Sequence, residues 1–194
     1  MIPEEKAELR RRIQGRIRAV DPERRVEASR AMMGRILKLP AWIDSRCVLL
    51  YAPLKDEPDL RGLLAIALSE GRTVALPSFS PGTGIYGARR IGDPERDLVP
   101  GRFGVREPGP DCREVPLEAL DFAVVPGLAF TQEGWRLGRG GGFYDRLLKS
   151  TPALRCGVGL DEQVLVRLPA EPHDVQLDFV VTPTATHWCR RAPQ

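Results

Sequence analysis

Apolar residues recur every fourth position near the N-terminus, at Leu9, Ile13 and Ile17, with Arg and Glu between them. That spacing predicts a helix over residues 4–20 with one buried stripe. Asp21-Pro22 then interrupts the pattern. Asp21 is suited to cap a second helix and Pro22 to fill its first turn. Val26, Met33, Ile36 and Leu37 form the expected inner face of that helix, and Pro40 is its expected stop. Beyond Pro40 the period changes. Short apolar runs at CVLLY (47–51), TVALP (73–77), DFAVVPG (121–127), CGVGL (156–160) and DFVVTP (178–183) read as buried strands. A further strand is expected near 85–91. Residues 59–70 read as a helix with Leu60, Leu63, Leu64, Ala67 and Leu68 inward, ended by Gly71. Strands alternating with helices predict an α/β fold, a three-layer sandwich with a mostly parallel central sheet. Such sheets bind ligands at the carboxyl ends of their strands. The runs VALP, VVPG and VVTP end in Pro or Pro-Gly, so the loops after them are where chemistry is expected.

Length and composition narrow the class. The 194 residues suit a single domain over 1–194, with a helical pair in 1–40 and a loose tail over 185–194. With 42% apolar and 28% charged residues, the chain is neither disordered nor a membrane bundle. No uncharged apolar stretch reaches the roughly 18 residues a spanning helix needs. The N-terminus, MIPEEKAELRRR, is charged throughout and lacks the apolar core of a secretory signal, so a cytoplasmic location is expected. The net charge of +3 is unevenly spread, because residues 1–40 carry eleven Lys/Arg against six Asp/Glu. That excess suits a small phosphate-bearing ligand. It is too weak, and too free of aromatics, for a nucleic-acid stripe. Cysteines 47, 112, 156 and 189 show no metal-ligand spacing and only two histidines accompany them, so neither zinc nor a disulfide framework is expected. Cys47 and Cys156 sit in apolar runs and read as buried thiols.

The most informative stretch is RLGRGGGFYDR, Arg136 to Arg146. Glycines 138, 140, 141 and 142 precede a short apparent helix, FYDRLLKS. Glycine permits close backbone approach, and successive N–H groups ahead of a helix make an anion cradle. Arg136 and Arg139 add positive charge, as a polyphosphate site requires. The loop is not a Walker A motif, since it has no Lys, nor a dinucleotide fingerprint, since Phe143 stands where a glycine is needed. Asp145 follows in the first turn of the helix. By residue type alone it complements the positive helix end; beside phosphates it suits magnesium.

In this order, these segments resemble the 5-formyltetrahydrofolate cyclo-ligase family. KAELR, with Lys6 and Arg10, is similar to its opening basic motif. YAPLKDEPDL, with Tyr51 and Glu57, resembles its Tyr…Glu segment, and FGVREP (103–108) its Gly-x-x-Glu-Pro segment. VVPGLAF (124–130) with RLGRGGGFYDR is its most specific signature, and HDVQLDFVVTP (173–183) matches its C-terminal pattern. The resemblance implies an architecture like that of the sugar-phosphate isomerases of the ribose-5-phosphate and glucosamine-6-phosphate types. It also implies an ATP- and Mg2+-dependent cyclisation of 5-formyltetrahydrofolate to 5,10-methenyltetrahydrofolate, releasing ADP and phosphate.

The resemblance further implies roles for individual residues. Lys6, Arg10 and the run Arg136, Leu137, Gly138, Arg139, Gly140, Gly141, Gly142, Phe143 and Tyr144 would bind ATP. Arg139 and Tyr144 would act in catalysis, and Asp145 and Asp174 would hold magnesium. Glu57 would bind the pterin, with Phe103 and Phe143 packing on the folate. Glu107 is left between a structural and a substrate role. Phe143 replaces a Tyr found in many relatives, and Gly141 a Lys found in some. By residue type alone, Lys6 and Arg10 would be a solvated helix face, Glu57 a surface charge before Pro58, and Asp174 a loop carboxylate. The expected partners are the two small molecules, with no nucleic acid or membrane and a monomer or weak dimer. A folate or nucleotide sensor, or an enzyme acting on another N-acylated substrate, is the alternative.

Overall fold

The structure is a computed structural model and describes residues 2–80, 84–101 and 104–189. Helix α1 (Ile2–Arg18) and helix α2 (Pro22–Ile36) form the expected pair. Asp21 caps α2 by accepting a hydrogen bond from the Glu23 N–H at 2.8 Å. Of the expected inner face of α2, Ile36 is buried and Met33 and Leu37 pack partly buried on the core, but Val26 does not belong to it. Ala28, Ser29, Met32 and Ile36 are buried, whereas Val26 is half exposed. Tertiary packing turned the helix so that Ala28, Ser29 and Met32 meet the neighbouring elements beside Ile36. Pro40 starts a short helix α3 (Pro40–Ile43), because its fixed φ fits a first turn as well as it blocks a last one.

Strand β1 (Cys47–Leu49) leads through a loop to α4 (Arg61–Ser69), which gives way to β2 (Thr73–Ser80) at Gly71, whose φ is 75°. The antiparallel β3 (Ile85–Ile91), α5 (Pro94–Asp97), β4 (Leu98–Pro100), β5 (Arg106–Pro108) and β6 (Glu114–Val115) follow. Then come β7 (Phe122–Pro126), β8 (Ala129–Thr131), β9 (Arg136–Leu137), α6 (Phe143–Lys149) and β10 (Leu154–Val158). Strands β11 (Val164–Leu165), β12 (Phe179–Val181) and β13 (Thr186–Trp188) complete the described chain.

The main sheet has the order β13-β12-β10-β7-β1-β2-β3-β6. Its centre, β12-β10-β7-β1-β2, is parallel; β13, β3 and β6 join antiparallel at the edges. The fold is therefore mixed α/β around a mostly parallel sheet. Two more results depart from the sequence reading. Residues 186–188, assigned above to a loose tail, form an edge strand on β12, with Val180 opposite His187; residues 190–194 lie outside the described residues. Arg136 and Leu137, read as loop, form β9 in a small sheet ordered β11-β8-β9. Runs of two or three residues carry too little periodicity to be read as strands.

Burial follows the two-residue period of the pleat. Val48, Val74, Leu76, Phe122, Val124, Cys156, Val158, Phe179 and Val181 face α2, α3 and α4. Leu49, Ala75, Ala123, Val125 and Val180 face α6 and the segments around Phe130 and Leu177. The two faces give the three layers. Helix α1 stands apart from this sandwich. Leu9, Ile13 and Ile17 pack on Leu128, Ala129 and Leu137, so the small sheet is its platform. As expected, Cys156 is buried, which raises its thiol pKa far above the usual range; Cys47 is only partly buried, and burial also raises its pKa. No helix among the described residues is long and apolar enough to cross a membrane.

Trp42 anchors the first layer. It is fully buried, meets Phe122 edge-on at 5.7 Å and carries the Arg72 guanidinium 5.0 Å from its ring. Trp42→Ala should lower the unfolding free energy by about 3–5 kcal/mol, measured by denaturant titration. A loss under about 1 kcal/mol would show that the layer closes without it.

Candidate active site

The carboxyl ends of β1, β2 and β7 open into one cleft of about 1250 Å³, bordered there by Tyr51, Leu76, Pro77, Pro126 and Gly127. Helix α1 and the glycine loop supply its charged walls. Of the residues singled out from sequence, Lys6, Arg10, Glu57, Asp145, Asp174 and the whole run from Arg136 to Tyr144 line this cleft. Phe103 lies outside the described residues.

Lys6 is no solvated helix residue. Its Nζ donates to Asp174 Oδ2 at 2.7 Å and Glu171 Oε2 at 2.8 Å, and its side chain is 8% exposed. Burial by itself would lower the ammonium pKa; the hydrogen bonds and charges of Asp174 and Glu171 outweigh it and raise the pKa. Burial pushes the Asp174 carboxyl up, and Lys6 with the Glu171 N–H overcomes this to hold it below the ordinary value. One turn further along α1, Arg10 Nε donates to the Gly138 carbonyl at 2.9 Å, tying the helix to the glycine loop.

The loop itself is shaped by close contacts. Gly140 and Gly142 have φ of 109° and 62°, conformations that other residues avoid. A Cβ at Gly141 would fall 2.3 Å from Phe143 Cε2, so with the ring in this position 141 admits only glycine. The Phe143 ring lies 4.5 Å from that of Tyr86 and 5.1 Å from the Arg146 guanidinium. Tyr86 in turn donates to Glu107 Oε1 at 3.2 Å, and Glu107 Oε2 accepts from the Phe79 N–H at 2.9 Å.

Arg136 is buried. Its Nη2 donates to Asp145 Oδ1 at 3.0 Å, its guanidinium lies 5.5 Å from the Tyr144 ring, and its Nε has no partner among the described residues. Tyr144 is partly buried, and burial first, then the charge of Glu57, keep its hydroxyl protonated well beyond neutral pH. It is available as a hydrogen-bond donor and not as a phenolate. Arg139 spans the cleft, with Nη2 2.6 Å from Asp56 Oδ1 and Nε 3.1 Å from Glu57 Oε1. Glu57 is no surface charge: its side chain is 9% exposed. Burial raises its pKa against the opposing effects of the Leu54 N–H and Arg139.

The carboxylates include the hard oxygen donors that a magnesium ion takes. Asp145 Oδ1 is engaged by Arg136 and the Val175 N–H, and Asp174 Oδ2 by Lys6 and the Glu171 N–H. The other oxygen of each accepts no hydrogen bond from the described residues, though His173 Nε2 stands 3.7 Å from Asp174 Oδ1. Glu171, His173 and Asp174 bring ligand atoms within 4.8 Å of one another. Sequence reasoning missed Asp56, Tyr86 and Glu171, all of which line the cleft. Asp56 adjoins Glu57 and Glu171 lies three residues before Asp174, but neither acidic residue stands in a spacing that distinguishes it from a surface charge.

Residues 2–183 match the model of the 5-formyltetrahydrofolate cyclo-ligase family. The chain is 36% identical to the 5-formyltetrahydrofolate cyclo-ligase of Mycolicibacterium smegmatis, over 94% of this chain and 96% of that one. It is 34% identical to the enzyme of the same name from Escherichia coli K12, over 89% and 97%. Among solved structures, Aquifex aeolicus 5,10-methenyltetrahydrofolate synthetase superposes with a TM-score of 0.86 at 35% identity, covering 97% of this chain and 95% of that one.

The Lys6 contacts fix α1 against the loop 171–174. Lys6→Met should leave two half-buried carboxylates unpaired and cost about 2 kcal/mol of stability, below the 3–5 of a fully buried pair. Denaturant titration reads this directly, and an unchanged midpoint would show that α1 is held by its apolar stripe alone.

Proposed function

We infer the activity from membership: the chain belongs to the 5-formyltetrahydrofolate cyclo-ligase family, and it is an enzyme that cyclises 5-formyltetrahydrofolate to 5,10-methenyltetrahydrofolate at the expense of ATP. The observation that carries this reading onto the molecule is the single cleft. It gathers the basic residues of α1, the glycine loop and the buried Glu57 at the carboxyl ends of the parallel strands. The architecture also supports kinship with the sugar-phosphate isomerase fold, which places its ligands at such strand ends.

A formyl oxygen is a poor leaving group. Transfer of the γ-phosphoryl group to it breaks the bond to ADP and forms a carbon–oxygen–phosphorus linkage. Nitrogen 10 of the same folate then attacks the formyl carbon. Phosphate departs with the oxygen, and nitrogen 10 loses its proton to give the methenyl product. This sequence asks a protein for alignment and for neutralised phosphate charge more than for covalent help.

The residues divide accordingly. Backbone N–H groups of 138–142 cradle the triphosphate, with Lys6, Arg10 and Arg136 around it; the unpartnered Arg136 Nε supports this placement. Arg139 meets the transferring group, and Tyr144 donates a hydrogen bond. Asp145 and Asp174 would hold Mg2+ through their free oxygens. The ion, when bound, neutralises phosphate charge. Glu57 accepts from the pterin N–H groups, and Phe143, backed by Tyr86, gives the folate a flat apolar face.

Purified protein with 5-formyltetrahydrofolate and magnesium-ATP should generate the methenyl chromophore, and omission of ATP should abolish it. Binding of both ligands with no chromophore would favour a sensor or another N-acylated substrate. Asp145→Asn should lower kcat/KM for magnesium-ATP by about 100-fold, the scale of a lost charge-stabilising contact. It should leave folate affinity within about twofold; parental activity would remove Asp145 from the metal site.

A further inference from the structure

Arg139 lies between Gly138 and Gly140, where glycine backbone lets it reorient at little cost. Both edges of its guanidinium are engaged. Nη2 and Nη1 donate to Asp56 at 2.6 and 3.3 Å, and Nε donates to Glu57 at 3.1 Å. A guanidinium offers its donors as planar forks, so an arginine held this way presents no complete fork to a phosphate. Glu57 is equally committed, with Oε1 on Arg139 and Oε2 on the Leu54 N–H. The two groups assigned above to different ligands are here bonded to each other.

We propose that Asp56 is a positioning residue which latches Arg139 onto Glu57 and thereby couples nucleotide binding to folate binding. This rests on the functional reading above. When triphosphate draws Arg139 away, Glu57 is left as a buried carboxylate without its cation, which is costly. The N–H donors of a pterin ring satisfy it. When folate arrives first, Glu57 turns to those donors and Arg139 is released toward the phosphates. Each ligand therefore reduces the cost that the other meets, and the linkage is reciprocal. Asp56 sets its size. The more firmly it holds Arg139, the smaller the fraction of molecules competent to bind either ligand alone.

The test is a pair of affinities measured by calorimetry on the whole chain, for 5-formyltetrahydrofolate and for the β,γ-imido analogue of ATP with Mg2+. In the parent, each ligand should tighten the other by about tenfold, within the usual range of coupling between sites. Asp56→Asn should tighten each ligand alone by about three- to fivefold and bring the coupling down to about threefold or less. Asp56→Glu, which keeps the charge, should restore most of it. A merely structural role would weaken both ligands and leave their coupling intact, and that result overturns the latch. Unchanged affinities and coupling in Asp56→Asn overturn it as well. Failure of the parent to bind either ligand would instead overturn the functional reading, so the two failures are distinct.

Discussion

Charge cannot be buried without a partner, and the cleft is organised around that constraint. Lys6 is matched by Asp174 and Glu171, Arg136 by Asp145, and Arg139 by Asp56 and Glu57. The Lys6 and Arg139 pairs join segments far apart in the chain, and the Arg136 pair closes the local turn from the small sheet to α6. Helix α1 is bound to the loop before β12, the small sheet to α6, and the glycine loop to the segment after β1. The pairs therefore fix the walls of the cleft as well as its charge. Lys6, Arg136 and Arg139 each start out on a carboxylate and Arg10 on the Gly138 carbonyl, so a polyanion entering the cleft must exchange partners with the protein and cannot simply add to a bare positive surface.

The sheet determines where this happens. Strand β7 is buried along its whole length between β1 and β10, and the parallel pairing around it gives out beside Tyr51, Pro77 and Pro126–Gly127, which border the cleft. The chain beyond β7 makes the small sheet, and β9 delivers the glycine loop to the same edge. Helix α1 rests on that small sheet, and its apolar stripe orients Lys6 and Arg10 toward the cleft. The basic elements of the cleft thus hang from one strand, and the glycines let the backbone turn between β9 and α6 within five residues.

The pairing of Gly141 with Phe143 shows how the loop is locally self-consistent. A phenyl ring that backs onto Tyr86 leaves no room for a side chain at 141, and the loop carries none there. Arg139 then stands as the cation of the loop that reaches across the cleft, which gives its partners Asp56 and Glu57 their importance.

Much of this was legible in the sequence. The two helical periods, the five apolar runs and the Asp21 cap follow from backbone geometry and local burial, which act over a few residues. The glycine loop with its arginines is contiguous, so it could be singled out as a wall of the site before any fold was known. The two-residue strands, the half-exposed Val26 and the docking of 186–188 could not be read, because they depend on what packs against them. Nor could the environments of Lys6 and Glu57, which residue type alone makes surface charges. Their burial comes from Glu171, Asp174 and Arg139, distant in sequence and adjacent only once the sheet is formed. The sequence by itself determined the main helices and strands and the family to which the chain belongs; the tertiary structure alone decided which charge neutralises which, since pairing energy depends on distance and dielectric and neither exists until the chain is folded.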